Sequence, residues 1–248
     1  MKEKRILSKR LEAVAGMVTA GNRVCDVGCD HGFVPIYLIQ KGISPGVLAM
    51  DIKEGPLKRA KEHIAAYRLE QYIETRLSDG LGSYKSGEAD SLICAGMGGK
   101  LVMRILEADR TKTDSFRELI LQPQSELEQF RRFLRTQGYL IIAENMIEED
   151  GKFYPIMKAV RKTDETMPYG ESFEIPWQKR MEDRYGPILL QEKHPVLYRY
   201  LEREKHIYQE ILEQIKANEM DTKKHSSRYA EIEEKLHDCL QVMQMLCP

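Results

Sequence analysis

An excess of charge of either sign is missing from this chain. Its 248 residues carry 38 Lys and Arg against 39 Asp and Glu, a formal net charge of −1. No global basic field therefore advertises nucleic-acid binding, and any such contact needs a local patch. No run approaches the ~20 apolar residues of a membrane-spanning helix. The opening Met-Lys-Glu-Lys-Arg has no apolar stretch behind it, so no secretory leader is expected. Cysteine is sparse and odd in number: Cys25, Cys29, Cys94, Cys239 and Cys247. Without paired framework spacing, a reducing compartment is expected, and the protein is placed in the cytoplasm. Cys25, Cys29 and His31 are close in sequence, but no second ligand pair follows them, so no metal site is expected. Internal repeats and low-complexity segments are also lacking. What is present, 42% apolar and 31% charged residues, suits one large domain or a domain with an appendage.

The most informative stretch is Val24-Cys25-Asp26-Val27-Gly28-Cys29-Asp30-His31-Gly32. It has the form of a buried strand entering a glycine-bearing turn, with a helix starting at Phe33. Gly28 and Gly32 let the backbone approach a ligand where a side chain would clash. Asp26 and Asp30 are acidic where a dinucleotide fold presents neutral glycines to a pyrophosphate. Carboxylates repel a pyrophosphate but attract an amino group and a sulfonium. The pattern is that with which class I methyltransferases hold S-adenosylmethionine, and the sign of charge favours this donor over NAD. The alternative is a tight strand–helix turn without a ligand.

Strand patterns follow at 23–27, 47–51, 73–77, 91–95, 118–122, 139–147 and 153–160, with helical patterns at 7–18, 33–41, 54–67, 98–109 and 125–137. Alternation of strand and helix implies parallel pairing. The last two strands have no helix between them and are joined through Asp150-Gly151, a hairpin signal. The expected fold is α/β: a class I methyltransferase (Rossmann-like) parallel sheet with an antiparallel terminal hairpin strand, plus a C-terminal helical coiled-coil hairpin. Residues 1–160 are read as the donor-binding domain, 161–194 as a linker and packing segment, and 195–248 as an antiparallel coiled-coil appendage. That appendage has 8 Lys and Arg against 10 Asp and Glu, so it is not an obvious electrostatic clamp.

Further candidates lie at the ends of the expected strands. Asp51, followed by Ile52, ends the second strand ~20 residues after the glycine loop, where a carboxylate grips a ribose diol. Ser78-Asp79-Gly80 follows the third strand, beside the expected adenine of the donor. Ala95-Gly96-Met97-Gly98-Gly99 follows the fourth, at the edge where open α/β sheets bind ligands. The Asn/Asp-Pro-Pro-aromatic motif of N6-adenine methyltransferases is absent from this loop. Gln122-Pro123-Gln124 adds two amides, each offering a donor and an acceptor suited to a base edge. Local basic clusters are Lys2, Lys4, Arg5, Lys9 and Arg10; Lys53, Lys58, Arg59 and Lys61; and Lys100, Arg104, Arg131, Arg132 and Arg135. Each is either a solvated helix face or a phosphate site.

Taken together, these motifs resemble the bacterial tRNA (adenine-22-N1)-methyltransferase family. The resemblance rests on Leu7-Ser8-Lys9-Arg10-Leu11, Asp26 to Gly32 with Pro35, Ser78 to Leu81, Ala95 to Gly99, Leu119 to Pro123, and Glu148 to Lys152 with Tyr154. Cys29, Gly32, Gln124 and Pro155 depart from the residues expected there. The resemblance implies methyl transfer from S-adenosylmethionine to N1 of adenine 22 in the D-arm region of tRNA. It implies Asp30, His31, Gly96 and Met97 as catalytic candidates, and Asp26, Gly28, Asp30, Gly32, Asp51, Ile52, Ser78, Asp79, Gly80, Ala95, Gly96 and Met97 around the donor. Lys9, Arg10, Gly98, Gly99, Gln122, Pro123 and Tyr154 are the candidates for substrate, with Tyr154 as a stacking platform. The partner expected is tRNA, without membrane or metal, and a monomer is favoured. A small-molecule or protein methyltransferase and a catalytically silent donor-binding module are the alternatives.

Overall fold

A computed structural model describes residues 7–162, 176–217 and 222–247. Lys2, Lys4 and Arg5 of the first basic cluster lie outside the described residues. The chain divides into two compact units, Met1–Phe173 and Glu174–Pro248. Among the described residues no helix is long and apolar enough to cross a membrane.

The first unit is built on a seven-stranded sheet of order β3-β2-β1-β4-β5-β7-β6. Its strands are β1 (Val24–Val27), β2 (Val47–Asp51), β3 (Ile73–Leu77), β4 (Ser91–Met97), β5 (Glu118–Pro123), β6 (Tyr139–Glu149) and β7 (Lys152–Arg161). The first five pair in parallel, whereas β7 inserts antiparallel between β5 and β6. β1, β2 and β5 are buried along their whole length, which explains their continuous apolar runs.

Helices cover both faces. On one side lie α1 (Lys9–Gly16), α2 (Phe33–Gln40) and α3 (Glu54–Ala66), contributing Val14, Ile36 and Ile64 to one core. On the other lie α4 (Gly99–Ala108), the four-residue α5 (Arg110–Thr113) and α6 (Leu127–Thr136), contributing Val102, Leu106, Phe130 and Leu134 to a second core. Ser8 caps α1 by accepting from Leu11 N–H at 3.4 Å, a contact worth about 1 kcal/mol.

Arg131 is corrected by the structure: it is no part of a solvated basic face. Its side chain is 1% exposed and its guanidinium Nε donates to the buried Glu144 on β6 at 2.9 Å. The apolar stripe of α6 carries it inward with Phe130 and Leu134, and a buried cation persists there because a carboxylate meets it.

The second unit consists of α7 (Pro176–Tyr185), α8 (Pro187–Gln191), α9 (Pro195–Ala217) and α10 (Thr222–Leu246). Residues 161–194, read from the sequence as linker and packing segment, thus include two helices of this unit. Lys216 lies over the Tyr229 ring, and Leu201 O accepts from Cys239 Sγ. Partner numbers fall on α10 as they rise on α9, so the two helices are antiparallel. Glu204 accepts from the hydroxyls of Tyr185, Tyr200 and Tyr208 at 2.9–3.0 Å. Trp177 and Arg180 of α7 donate to Asp238 of α10, which ties α7 to the hairpin.

Candidate functional site

Strands β1, β2 and β4 all end at the same edge of the sheet, because parallel strands present their carboxyl ends together. Asp26, on β1, is 4% exposed. Burial first, and then the Asp51 charge, raise its carboxyl to about 7. Gly28 N–H and Cys29 N–H both donate to Met50 O, at 2.8 and 3.0 Å, and lock the turn onto β2. Gly28 has φ +78°, and a Cβ there would lie 3.4 Å from Met97 Sδ. The glycine turn and the β4 loop therefore face each other directly.

Asp51 has its two carboxylate oxygens on two backbone donors. Oδ1 accepts from Lys53 N–H at 2.9 Å and Oδ2 from Asp30 N–H at 3.3 Å. Lone pairs remain on both oxygens for a diol. Ile52 beside it is 58% exposed, and Ser78 N–H, where the Asp79 loop begins, donates to Asp51 O at 2.9 Å. Ser78 is buried, and its hydroxyl is spent on its own loop: it donates to Gly80 O at 2.9 Å and accepts from Ser83 N–H at 3.0 Å. Asp79 is exposed. Gly80 serves packing, since a Cβ there would meet Ile105 at 3.1 Å.

Asp30 takes positive φ (+46°) and projects outward with its side chain 65% exposed. Its carboxylate lies 3.5 Å from His31 Nε2 and 4.0 Å from Arg59 Nη2. His63 Nδ1–H donates to His31 O at 2.9 Å and its ring stacks on Phe33 at 4.7 Å. The basic cluster of α3 thus places Arg59 beside the acidic turn. His63 is not signalled by the sequence, because it lies 32 residues from His31 with no motif around it.

The sequence pattern ends the fourth strand at residue 95; β4 runs on to Met97, with a register shift between Ala95 and Met97 where it pairs with β5. Gly96 occupies the bulge at φ +78°, open to solvent, with Arg10 Nη1 and Gln124 Nε2 at 3.5 and 3.8 Å from where its Cβ would be. Pro123 pairs with Met97, and Gln124 N–H donates to Met97 O at 2.9 Å. Gly98 and Gly99 start α4, and Gly99 N–H donates to Ser125 Oγ at 3.1 Å.

Arg10 draws distant candidates together. Its Nη1 donates to Oε1 of the fully buried Gln122 at 2.7 Å, and its guanidinium sits 5.2 Å from the Tyr154 ring centroid. Arg10, Gln122, Tyr154 and Gly96 therefore form one cluster. Lys9 is exposed; its backbone N–H donates to Glu149 Oε1 at 2.8 Å.

A sulfonium donor suits this cradle. The Asp26 and Asp51 carboxyls are close enough to feel each other's charge, and Gly28 brings the turn within contact distance of Met97. The Methyltransferase domain family matches residues 7–157. The tRNA (adenine(22)-N(1))-methyltransferase of Bacillus subtilis (strain 168) is 34% identical over 230 residues, 93% of this chain and 94% of that protein. The crystal structure of the B. subtilis m1A22 tRNA methyltransferase TrmK superposes with a TM-score of 0.81 at 33% identity, covering 96% of this chain and 98% of that one. Streptococcus pneumoniae Sp1610 in complex with S-adenosyl-L-methionine superposes with a TM-score of 0.80 at 30% identity, covering 96% and 99%. On the cradle, the glycine bulge and these likenesses together, the chain belongs to the tRNA (adenine(22)-N(1))-methyltransferase family.

Proposed function

We propose that this protein methylates N1 of adenine 22 in tRNA with S-adenosylmethionine as donor, acting as a monomer in the cytoplasm. The observation that carries the reading is the juxtaposition of the Asp26–Asp51 cradle with the Arg10–Gln122–Tyr154 cluster across the Gly96 bulge. When bound, S-adenosylmethionine supplies an electrophilic methyl group. N1 of adenine already carries an in-plane lone pair, so the residues here need not create a nucleophile. Their work is to hold the base in line and keep water out. Tyr154, with Arg10 over its ring, is the stacking platform for an extruded base. Gln122 Oε1 is taken by Arg10, which orients the amide, and Gln124 presents its own beside Gly96. The adenine becomes cationic as the methyl arrives. Asp30, at the mouth of the turn, supplies compensating negative charge, with His31 orienting the base edge. Asp26, Gly28, Gly32, Asp51, Ile52, Asp79, Ala95 and Met97 surround the donor, while Ser78 and Gly80 shape its loop. Lys9, Gly98, Gly99 and Pro123 are assigned to the substrate side.

Incubation with labelled S-adenosylmethionine and unmodified tRNA transcript should yield N1-methyladenosine, and replacing adenine 22 should remove it. Incorporation that persists at another nucleotide would overturn the assignment.

Donor binding should also release a proton. The Asp26 carboxyl, raised to about 7, is largely protonated at pH 6 and must ionise to meet a cationic ligand. Affinity should therefore rise from pH 6 to pH 8 and then level off. Calorimetry at pH 6 in buffers of different ionisation enthalpy should show release of close to one proton, lost in Asp26→Asn. Buffer-independent heats would refute it.

A further inference from the structure

Helices α4 and α6 lie on the same sheet face and bound a groove of about 500 Å³. Met103 and Phe133 line it together with Lys100, Arg104, Arg132 and Glu107. Lys100 follows directly on Gly99, so the groove begins at the glycine loop of β4 and leads away from it. Lys100 and Arg104 are four residues apart, hence on one helix face and about 6 Å apart along the axis. Both are exposed, and neither forms an ion pair with a described residue. Arg132 is different, since Glu128 holds it at 2.7 Å. Glu107 stands one turn beyond Arg104, where it sets an acidic end to the basic run.

We propose that this groove is the track for the RNA backbone flanking the target adenine, with Lys100 and Arg104 taking two successive phosphates. The inference rests on the tRNA reading above. Three observations carry it. The two cations repeat at one helical turn, as phosphates repeat along a strand. The groove starts where the base must enter. A chain of net charge −1 needs a local basic tract to hold a polyanion. Glu107 limits the track, because a third phosphate there would meet a carboxylate.

The test measures binding of unmodified tRNA transcript to the full-length protein over a salt series, alongside donor affinity and saturated methylation rate. In Lys100→Gln/Arg104→Gln, tRNA affinity should fall at least about tenfold at low salt. The slope of log affinity against log salt should become shallower by about 1.4–1.8, the value for two lost phosphate contacts. Donor affinity and the rate at saturating tRNA should stay within about threefold of wild type. Glu107→Gln should bind transcript several-fold tighter, a gain that a merely structural role would not produce. An unchanged slope in the double variant, with salt-dependent binding by wild type, overturns the groove and leaves the tRNA reading intact. Displacement of transcript by poly-glutamate as readily as by RNA of equal charge would overturn it in favour of an acidic protein partner. Wild-type protein that binds no transcript would overturn the tRNA reading itself, and the groove with it.

Discussion

Asp51→Ala is expected to weaken S-adenosylmethionine binding roughly 100- to 1000-fold. A carboxylate gripping a ribose diol makes two charge-assisted hydrogen bonds, together worth about 3–4 kcal/mol. The loss has a second origin. Asp51 also holds the Lys53 and Asp30 amides, so its removal loosens the glycine turn as well as the ribose site. Asp51→Asn separates the two effects. It keeps one acceptor oxygen for the turn but lacks the charge, and should still lose most of the affinity while unfolding close to the wild-type temperature. Because the Asp51 charge helps to raise the Asp26 carboxyl, either variant should move the proton-linked change in donor affinity to lower pH. Calorimetric affinity within threefold of wild type for Asp51→Ala would remove the ribose role.

Gly99→Ala should reduce methylation at least about 100-fold, with a much smaller loss of donor affinity. A Cβ at residue 99 would sit 2.4 Å from Ser125 O, far inside contact distance, and 3.3 Å from Glu126 Cβ. The neighbour is backbone and cannot rotate away. Ser125 also accepts the Gly99 N–H, and Gln124 N–H is tied to Met97 O. The β4 loop and the turn entering α6 must therefore separate, and a displacement of about 1 Å in such a constellation lowers rates by about 100-fold. Asp26 and Asp51 stand on β1 and β2, outside the displaced segment, so the loss of donor affinity should be confined to the contacts of Ala95 and Met97. Gly98→Ala is the control: its Cβ would meet Ser125 Oγ at 3.3 Å, a rotatable hydroxyl, at ordinary negative φ. Its activity should fall far less. A Gly99→Ala enzyme turning over at the wild-type rate would show that this loop tolerates movement.

Much of the donor side is legible in the sequence. Asp26, Gly28, Asp30 and Asp51 occur at local spacings tied to strand ends, and a parallel sheet brings strand ends to one edge whatever the surrounding detail. The substrate side is less so. Arg10 and Gln122 are 112 residues apart, and nothing in either segment states that a guanidinium will reach a buried amide. Arg131 shows the opposite error. Its sequence neighbours Arg132 and Arg135 suggest a basic surface, but the apolar stripe of α6 turns it inward onto Glu144. The short α5 escapes notice because four residues are too few for a periodicity to register.

By itself the sequence determined the alternation of strands and helices, the antiparallel terminal hairpin and the acidic glycine turn, because hydrophobic period and turn chemistry are local properties of the chain. Only the tertiary structure decided that β4 bulges at Gly96, that Met97 lies over Gly28, and that Arg10 joins Gln122 to Tyr154. Those features depend on the register between strands and on packing across the sheet edge, where residues far apart in the chain compete for the same space.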